Sequence, residues 1–471
     1  MQRIGRAIPT LQQIRQAAQG QLNQTPCLWQ LQIGEALLKA DKDVVCITAT
    51  GDGKTLTFWL PLLFSEDGIV LVVTPLNQLG KQTEAQLGTS GVSCIAVESK
   101  TATPEKFKAI RSLEHRVVVA NPELLMKDDG SFEALLRDPK FNSKLLAVVI
   151  DEAHCVSEWG GFRDEYRYIG RLRHLLPSSV PFYAASATMP PEILADVKKS
   201  LNLRTSNTFL MHRSNDRPNI HLVSRPFKYG QHTYSDLDFL VKDWKPGDAS
   251  PPKFLIFFDS IKESEDAANH LRSLLPKEYQ DKIKWFHAVM TPEFRDIEVG
   301  RFREADSWGY CATDSFGMGM DLSDILLIIQ WKASTSYLKI WQRIGRAARD
   351  QSLEGTAIIF SETQYSDEKR AQKEATQQKR AETLKRKAEV ASRSTGGAET
   401  ANGQIEPTVR MDVEARRASY APSVVAKIQK ATKGGDRLHP VLDDMINARA
   451  RGINCIRLPF TLAFENDKIG T

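Results

Sequence analysis

Two stretches of the sequence carry residue types that act on phosphate groups. TGDGKT supplies Thr50, Gly51, Asp52, Gly53, Lys54 and Thr55 in a row. Glycines let backbone N–H groups approach phosphate oxygens, the lysine reaches the β- and γ-phosphates, and the next hydroxyl can ligate Mg²⁺. Further on, the apolar run LLAVVI leads into DEAHCVSEWGGFRDEY, which opens with Asp151 and Glu152. One carboxylate there can hold Mg²⁺ through its water shell while its neighbour orients a water for attack on a γ-phosphate. Each stretch also has a plainer reading. The strict phosphate-loop pattern asks for glycine where Thr48 stands, and acidic residues commonly open a helix because they complement its dipole. Together on strands of one sheet, they point to a bound nucleoside triphosphate with Mg²⁺.

Both stretches must leave the carboxyl ends of strands, since ligands of open α/β sheets bind at that edge. The sequence supplies such strands. DVVCITAT (43–50), IVLVVTP (69–75), CIAVE (94–98), RVVVANP (116–122), LLAVVID (145–151) and FYAASAT (182–188) are short apolar runs, each followed by a helical or loop stretch. That alternation predicts a parallel sheet covered by helices on both faces. Proline, glycine and aspartate gather in RSNDRPNIH and DWKPGDASPPK as loop chemistry. The strand pattern then restarts with KFLIFFD, KIKWFHA, GYCATD, ILLIIQW and GTAIIF. The expected organisation is an α/β chain of two tandem units, residues 1–215 and 216–362. Residues 363–471 read as a charged low-complexity tail with a short apolar end segment. Its stretch YSDEKRAQKEATQQKRAETLKRKAEVASR cannot bury a core, and is either one solvated helix or disordered.

At 471 residues the chain is too long for one core. Hydrophobic residues at 41% and charged residues at 26% suit a soluble globular protein. No apolar run approaches a membrane span, and MQRIGRAIPTLQQIRQ lacks the apolar core of a secretory signal. Six cysteines without paired spacing suggest neither a disulfide framework nor a zinc cluster, and fit a reducing compartment. The net charge of +5 lies wholly beyond residue 360, where 20 basic residues face 15 acidic ones. Net charge is therefore no argument for nucleic acid, although patches on the neutral body can still meet phosphates.

QRIGRAARD at 342–350 ends the second unit. Arg346 and Arg349 lie three apart, so on a helix they share one face. They can serve as arginine fingers, or be no more than an exposed basic turn. In order along residues 26–350, the motifs resemble those of superfamily 2 helicases, and DEAHCVSEWGGFRDEY resembles the RecQ family. The resemblance implies two RecA-like domains that use ATP and Mg²⁺. In that frame Lys54, Thr55 and Asp151 hold MgATP, with Thr55 and Asp151 toward the metal, and Glu152 positions the attacking water. Gln30 reads adenine, Gln342, Arg346 and Arg349 complete the site on closure, and Gly319 and Asp321 match the second domain's nucleotide motif. Thr74, Asn77, Asn121, His287 and Thr313 match motifs that contact nucleic acid. Trp159, Phe162 and Arg163 match an aromatic-rich loop that couples DNA binding to hydrolysis, although Trp159 taken alone fits packing between domains as well. Ser186 and Thr188, in SAT, would link hydrolysis to domain movement.

The chain departs from the family in several places. WGGFR is one residue shorter than the common loop, Asp164 replaces a usual proline, and Ala348 stands where glycine is general. Only Cys455 lies beyond residue 350, so the family's four-cysteine zinc module is not expected here, nor a zinc site. The resemblance implies a 3′–5′ DNA helicase acting on single-stranded and forked DNA, located in the nucleus. Two alternatives stay open: a DNA-stimulated ATPase or translocase that separates no strands, and a non-enzymatic DNA-binding adaptor. RNA as the bound strand is also left open. The first copy of QRIGRA, at 2–7, has no phosphate-binding context and is taken as chance.

Overall fold

The computed structural model describes residues 7–75, 83–84, 87, 91–99, 101–127, 130–159, 164–316, 322–333, 335–391, 412–425 and 438–469. They divide into two compact units. One gathers the described residues of 1–218, 316–323 and 464–471, and the other those of 219–315 and 324–463.

Among the described residues the first unit holds seven strands: β1 (Asp43–Ile47), β2 (Ile69–Val73), β3 (Cys94–Val97), β4 (Val117–Ala120), β5 (Leu145–Ile150), β6 (Phe182–Ser186) and β7 (Thr208–His212). Their order across the sheet is β3-β4-β2-β5-β6-β1-β7, and every pairing is parallel. The central strands are apolar throughout because both faces are covered, as expected of parallel sheets. Alternation then sorts their side chains into two cores. Val45, Ile47, Leu71, Val148 and Ile150 pack on one face, and Val44, Cys46, Val72, Val149 and Tyr183 on the other.

The second unit repeats the plan with β8 (Ile220–Pro226), β9 (Phe254–Phe257), β10 (Ile283–Phe286), β11 (Gly309–Ala312), β12 (Leu327–Gln330) and β13 (Gly355–Ser361). The order is β10-β11-β9-β12-β13-β8, again all parallel. These are two RecA-like domains in tandem. β7 and β8 begin and end around the proline-rich stretch that reads as loop in the sequence. Both are edge strands, and their mixed polar composition lacks the continuous apolar run of an inner strand.

Beyond residue 362 the helix Asp367–Ala391 exposes its residues 371–384 to solvent. Residues 438–463 belong to the second unit and bury Val441, Leu442, Met445, Phe460 and Leu462. Phe460 stacks on Trp341 at 4.6 Å and His439 on Tyr337 at 4.5 Å, so this segment braces the helix Tyr337–Ile344. Arg451 clamps Asp367, Asp443 and Asp444 at 2.6 to 2.9 Å.

One buried carboxylate ties the first sheet together at its amino edge. Asp43, with no exposure, accepts from the Arg173 guanidinium at 2.7 Å and from the backbone N–H groups of Phe182 (2.9 Å) and Arg204 (2.8 Å). Asp43→Ala strands the half-buried Arg173 and two N–H groups. It is expected to cost about 3–5 kcal/mol, read as a lower urea midpoint of the first unit by tryptophan fluorescence. A loss under about 1 kcal/mol would mean that solvent replaces the carboxylate.

Candidate active site

The phosphate loop leaves β1 at Thr48 and enters the helix Lys54–Trp59. Gly51 and Gly53 sit at φ 93° and 83°, a region that side chains with a Cβ disfavour. Gly53 is also crowded, because a Cβ there would lie 2.8 Å from Gln30 Nε2. The loop is held from four directions. Gln30 Nε2 donates to the Gly53 carbonyl at 2.9 Å while its Oε1 accepts the Cys27 N–H at 2.8 Å. The Thr48 hydroxyl donates to Asp52 Oδ2 at 2.6 Å, so the residue that departs from the strict pattern closes the loop from within. Arg217 Nη1 donates to the Thr50 carbonyl at 2.9 Å. Lys54 Nζ donates to the carbonyls of Thr48 and Ala49, both at 2.9 Å, and Thr55 is exposed.

The acidic pair emerges from β5, separated from β1 by β6 alone. The Asp151 N–H donates to the Val73 carbonyl, and its Oδ1 accepts the Glu152 N–H at 3.0 Å. Glu152 adopts φ 49°, a left-handed backbone that costs roughly 1–2 kcal/mol for a residue with a Cβ. The bend lets the Ala153 N–H reach the Ala185 carbonyl at 2.9 Å and turns the chain into the helix His154–Glu158. Glu152 Oε2 lies 3.4 Å from His154 Nδ1, which is hydrogen-bonded to Ser186 Oγ at 2.8 Å. Ser186 Oγ also accepts the Thr188 N–H at 3.1 Å. A buried histidine thus joins the acidic pair to the turn after β6.

Burial, and then the neighbouring Glu152 charge, push the Asp151 carboxyl up to about 7, against the opposing pull of Lys54. A carboxylate in that situation gains from a cation beside it. The oxygens of Asp151 and Thr55 suit a hard ion such as Mg²⁺, which keeps most of its ligands as water and phosphate. Lys54, which spends its donors on its own loop's carbonyls, has a charge that phosphate oxygens would engage better. The residues present therefore fit a magnesium–nucleotide group.

The helix that follows β12 crosses back over the second sheet, so the turn after it meets the amino edge of that sheet, beside the residues that open β8 and β12. Gln342 lies on the helix Tyr337–Ile344, which Ser336 caps. Arg346 and Arg349 do not share a helix face, as their spacing suggested, because the helix ends at Ile344 and both stand on the turn that follows. That turn is unusual. Ala348 sits at φ 39°, its N–H donates to the Ile325 carbonyl at 2.7 Å, and its carbonyl accepts from Asn219 Nδ2 at 3.0 Å. Arg343 anchors the helix from below through Asp314, Asp259 and Gln330 at 2.6 to 2.9 Å.

The residues matched to nucleic-acid motifs are placed less uniformly. Thr74 is buried after β2, with no partner for its hydroxyl among the described residues. Asn121 follows β4 and caps the next turn by accepting the Leu124 N–H. Trp159 is half-buried against the core, edge-on to Tyr166 at 5.4 Å. His287 follows β10 and bonds Glu265 at 3.0 Å, and Thr313 follows β11 and bonds Ser315 at 3.1 Å. Asn77, Phe162, Arg163, Gly319 and Asp321 lie outside the described residues. Sequence reasoning missed His154, Arg217, Asn219 and Arg343 as parts of these loops. The DEAH and QRIGRA strings could have directed attention to His154 and Arg343. RPN within RSNDRPNIH offered only loop chemistry.

Residues 28–197 match the DEAD/DEAH box helicase family and residues 237–351 the helicase conserved C-terminal domain. Among curated proteins, the chain is 28% identical over 69% of its length to the ATP-dependent DNA helicase Q-like 4B of Arabidopsis thaliana, covering 27% of that protein. It is 29% identical over 68% of its length to the ATP-dependent DNA helicase RecQ of Haemophilus influenzae, covering 49% of it. The chain thus spans a quarter to a half of these relatives. Among solved structures it resembles the DUF1998 helicase MrfA bound to DNA and AMPPNP, with TM-score 0.60 and 18% identity over 77% of this chain and 52% of that one. At that identity the likeness is one of fold.

Gln30→Ala removes the side chain that holds the Gly53 carbonyl. One such bond is worth about 1 kcal/mol, so binding of a fluorescent ATP analogue is expected to weaken roughly fivefold. Unchanged affinity would place Gln30 outside the machinery that shapes the loop.

Proposed function

Because the chain belongs to the RecQ-like family of superfamily 2 helicases, we propose that it is an ATP-dependent DNA helicase of RecQ type. It couples ATP hydrolysis to 3′–5′ movement along single-stranded DNA and to the opening of forked duplexes. The observation that carries this reading is the gathering of Gln30, the loop 50–55, Asp151 and Glu152 at one sheet edge, in a chain whose curated relatives are RecQ-type. A bound magnesium–ATP group supplies the phosphoryl bond whose cleavage drives the cycle. The chain's own residues do the rest. Lys54 would exchange the carbonyls of Thr48 and Ala49 for phosphate oxygens, and Thr55 and Asp151 would hold the metal. Glu152, preset by its strained backbone, orients a water and takes its proton. His154 lies beside Glu152 and bonds Ser186, so a change at the acidic pair is felt at the SAT turn.

From the second unit Gln342, Arg346 and Arg349 supply positive charge and hydrogen bonds to the transition state. Arginine fingers of this kind contribute on the order of 10³–10⁵ in rate. Single-stranded DNA is held mainly by its phosphates, with Thr74, Asn77, Asn121, His287 and Thr313 on its path. Trp159, Phe162 and Arg163 report its presence to the acidic pair. A nuclear site of action goes with a DNA substrate and with the short basic clusters at 379–380 and 385–387, and the position of a fluorescent fusion tests it. No helix among the described residues is long and apolar enough to cross a membrane.

The deciding experiment measures ATP hydrolysis with and without single-stranded DNA. Turnover is expected to rise with DNA and to fall by about 10²–10⁴ in Glu152→Gln, the range for a lost general base. Lys54→Ala should abolish it through loss of nucleotide binding. A folded chain that hydrolyses no ATP under either condition would sink the enzyme reading in favour of an adaptor. Stimulated hydrolysis without displacement of a strand from a 3′-tailed fork would leave a translocase.

A further inference from the structure

The chain passes from the first unit to the second between Pro218 and Asn219. The residues on either side of that crossing have unusual partners. Within the first unit, Asn215 is buried and its Nδ2 donates at 2.8 Å to the carbonyl of Ala187, the middle residue of the turn that follows β6. Arg217 is 5% exposed, and its Nη1 donates at 2.9 Å to the carbonyl of Thr50 in the phosphate loop. Within the second unit, Asn219 Nδ2 donates to the carbonyls of Ala348 at 3.0 Å and Leu353 at 2.9 Å, on the turn that carries Arg346 and Arg349. Three side chains within five residues thus each grip the backbone of a different loop.

The segment is also stiff. Proline fixes φ at residue 218 and restricts Arg217 before it to extended backbone. Side chains on carbonyls set the position of a loop without contributing to its chemistry, and a buried guanidinium on a carbonyl is among the stronger such bonds. The far grip holds a turn that is already preset, since Ala348 keeps a left-handed φ of 39°. A displacement of the phosphate loop therefore pulls on Arg217, and through two peptide links on Asn219 and the arginine turn.

We infer that Asn215–Asn219 is a coupling strap, in which Asn215, Arg217 and Asn219 are positioning residues that make the phosphate loop, the 186–188 turn and the 345–349 turn move as one. The inference rests on the proposed ATPase for its purpose but not for its test. The test uses the full chain and two near-isosteric variants, with folding checked by melting. Asn219→Asp replaces the donor by a carboxylate that carbonyls repel, and Arg217→Lys keeps the charge while losing the planar fork. Hydrogen exchange is the first readout. Asn219→Asp should speed amide exchange by about fivefold or more at 48–55 as well as at 345–349, and Arg217→Lys should do the same at both. Exchange that changes only in the loop touched by the substituted side chain would overturn the strap, whether or not the chain hydrolyses ATP.

The second readout is the ratio of ATP turnover with DNA to turnover without it. Each variant should lower that ratio about tenfold, and the double variant should be no worse than the poorer single one, because both cut the same connection. Losses that multiply in the double variant would show two independent contributions and overturn the inference. A native chain with no ATP turnover would instead count against the proposed function, and hydrogen exchange would still decide the strap.

Discussion

In a sheet whose strands all run the same way, every carboxyl end falls on one edge, and whatever follows each strand is delivered there. This constraint organises the candidate site of the first unit. The phosphate loop, the acidic pair and the SAT turn follow β1, β5 and β6, which are consecutive across the first sheet. Residues far apart in sequence meet because the crossovers between parallel strands leave them no other place to go. The apolar runs that make the strands therefore do two things at once. They fill the two cores, and they aim the polar loops.

The loops at that edge are held largely by bonds to backbone carbonyls. Gln30, Lys54, Arg217 and Asn215 all donate to main-chain oxygens of those loops. Such bonds define where a loop sits while leaving its N–H groups and side chains available. Two residues take left-handed backbone where glycine would be easier, Glu152 in the acidic pair and Ala348 in the arginine turn. Each is over-determined by neighbouring hydrogen bonds, the condition under which such strain persists.

The inner strands were legible because apolar runs bounded by charge have few other meanings. Two of the edge strands were not, because Thr208–His212 and Ile220–Pro226 carry half-exposed and polar positions that resemble loop. TGDGKT and the acidic pair could be read as a site because their residue types act directly on phosphate. Thr48 looked like a defect in the pattern, and its hydroxyl proves to brace Asp52. Arg217 and Asn219 escaped for a different reason. Their partners are carbonyl oxygens, which every residue has, so nothing in the partner's sequence marks the contact. The arginine spacing suggested a shared helix face, but the helix stops at Ile344 with Gly345 as its cap.

The helix Asp367–Ala391 has a mechanical consequence. Its 25 residues span about 37 Å at the usual rise of a helix. Its foot is fixed, with the Asp367 N–H on Asn447 and its carboxylate on Arg451, while residues 371–384 are all exposed. An arm of that length anchored at one end is a lever. A tilt of ten degrees at the foot, roughly the play of one side-chain clamp, carries the tip through about 6 Å, close to a full turn of helix. A small adjustment at the clamp is thereby magnified along the length of the helix.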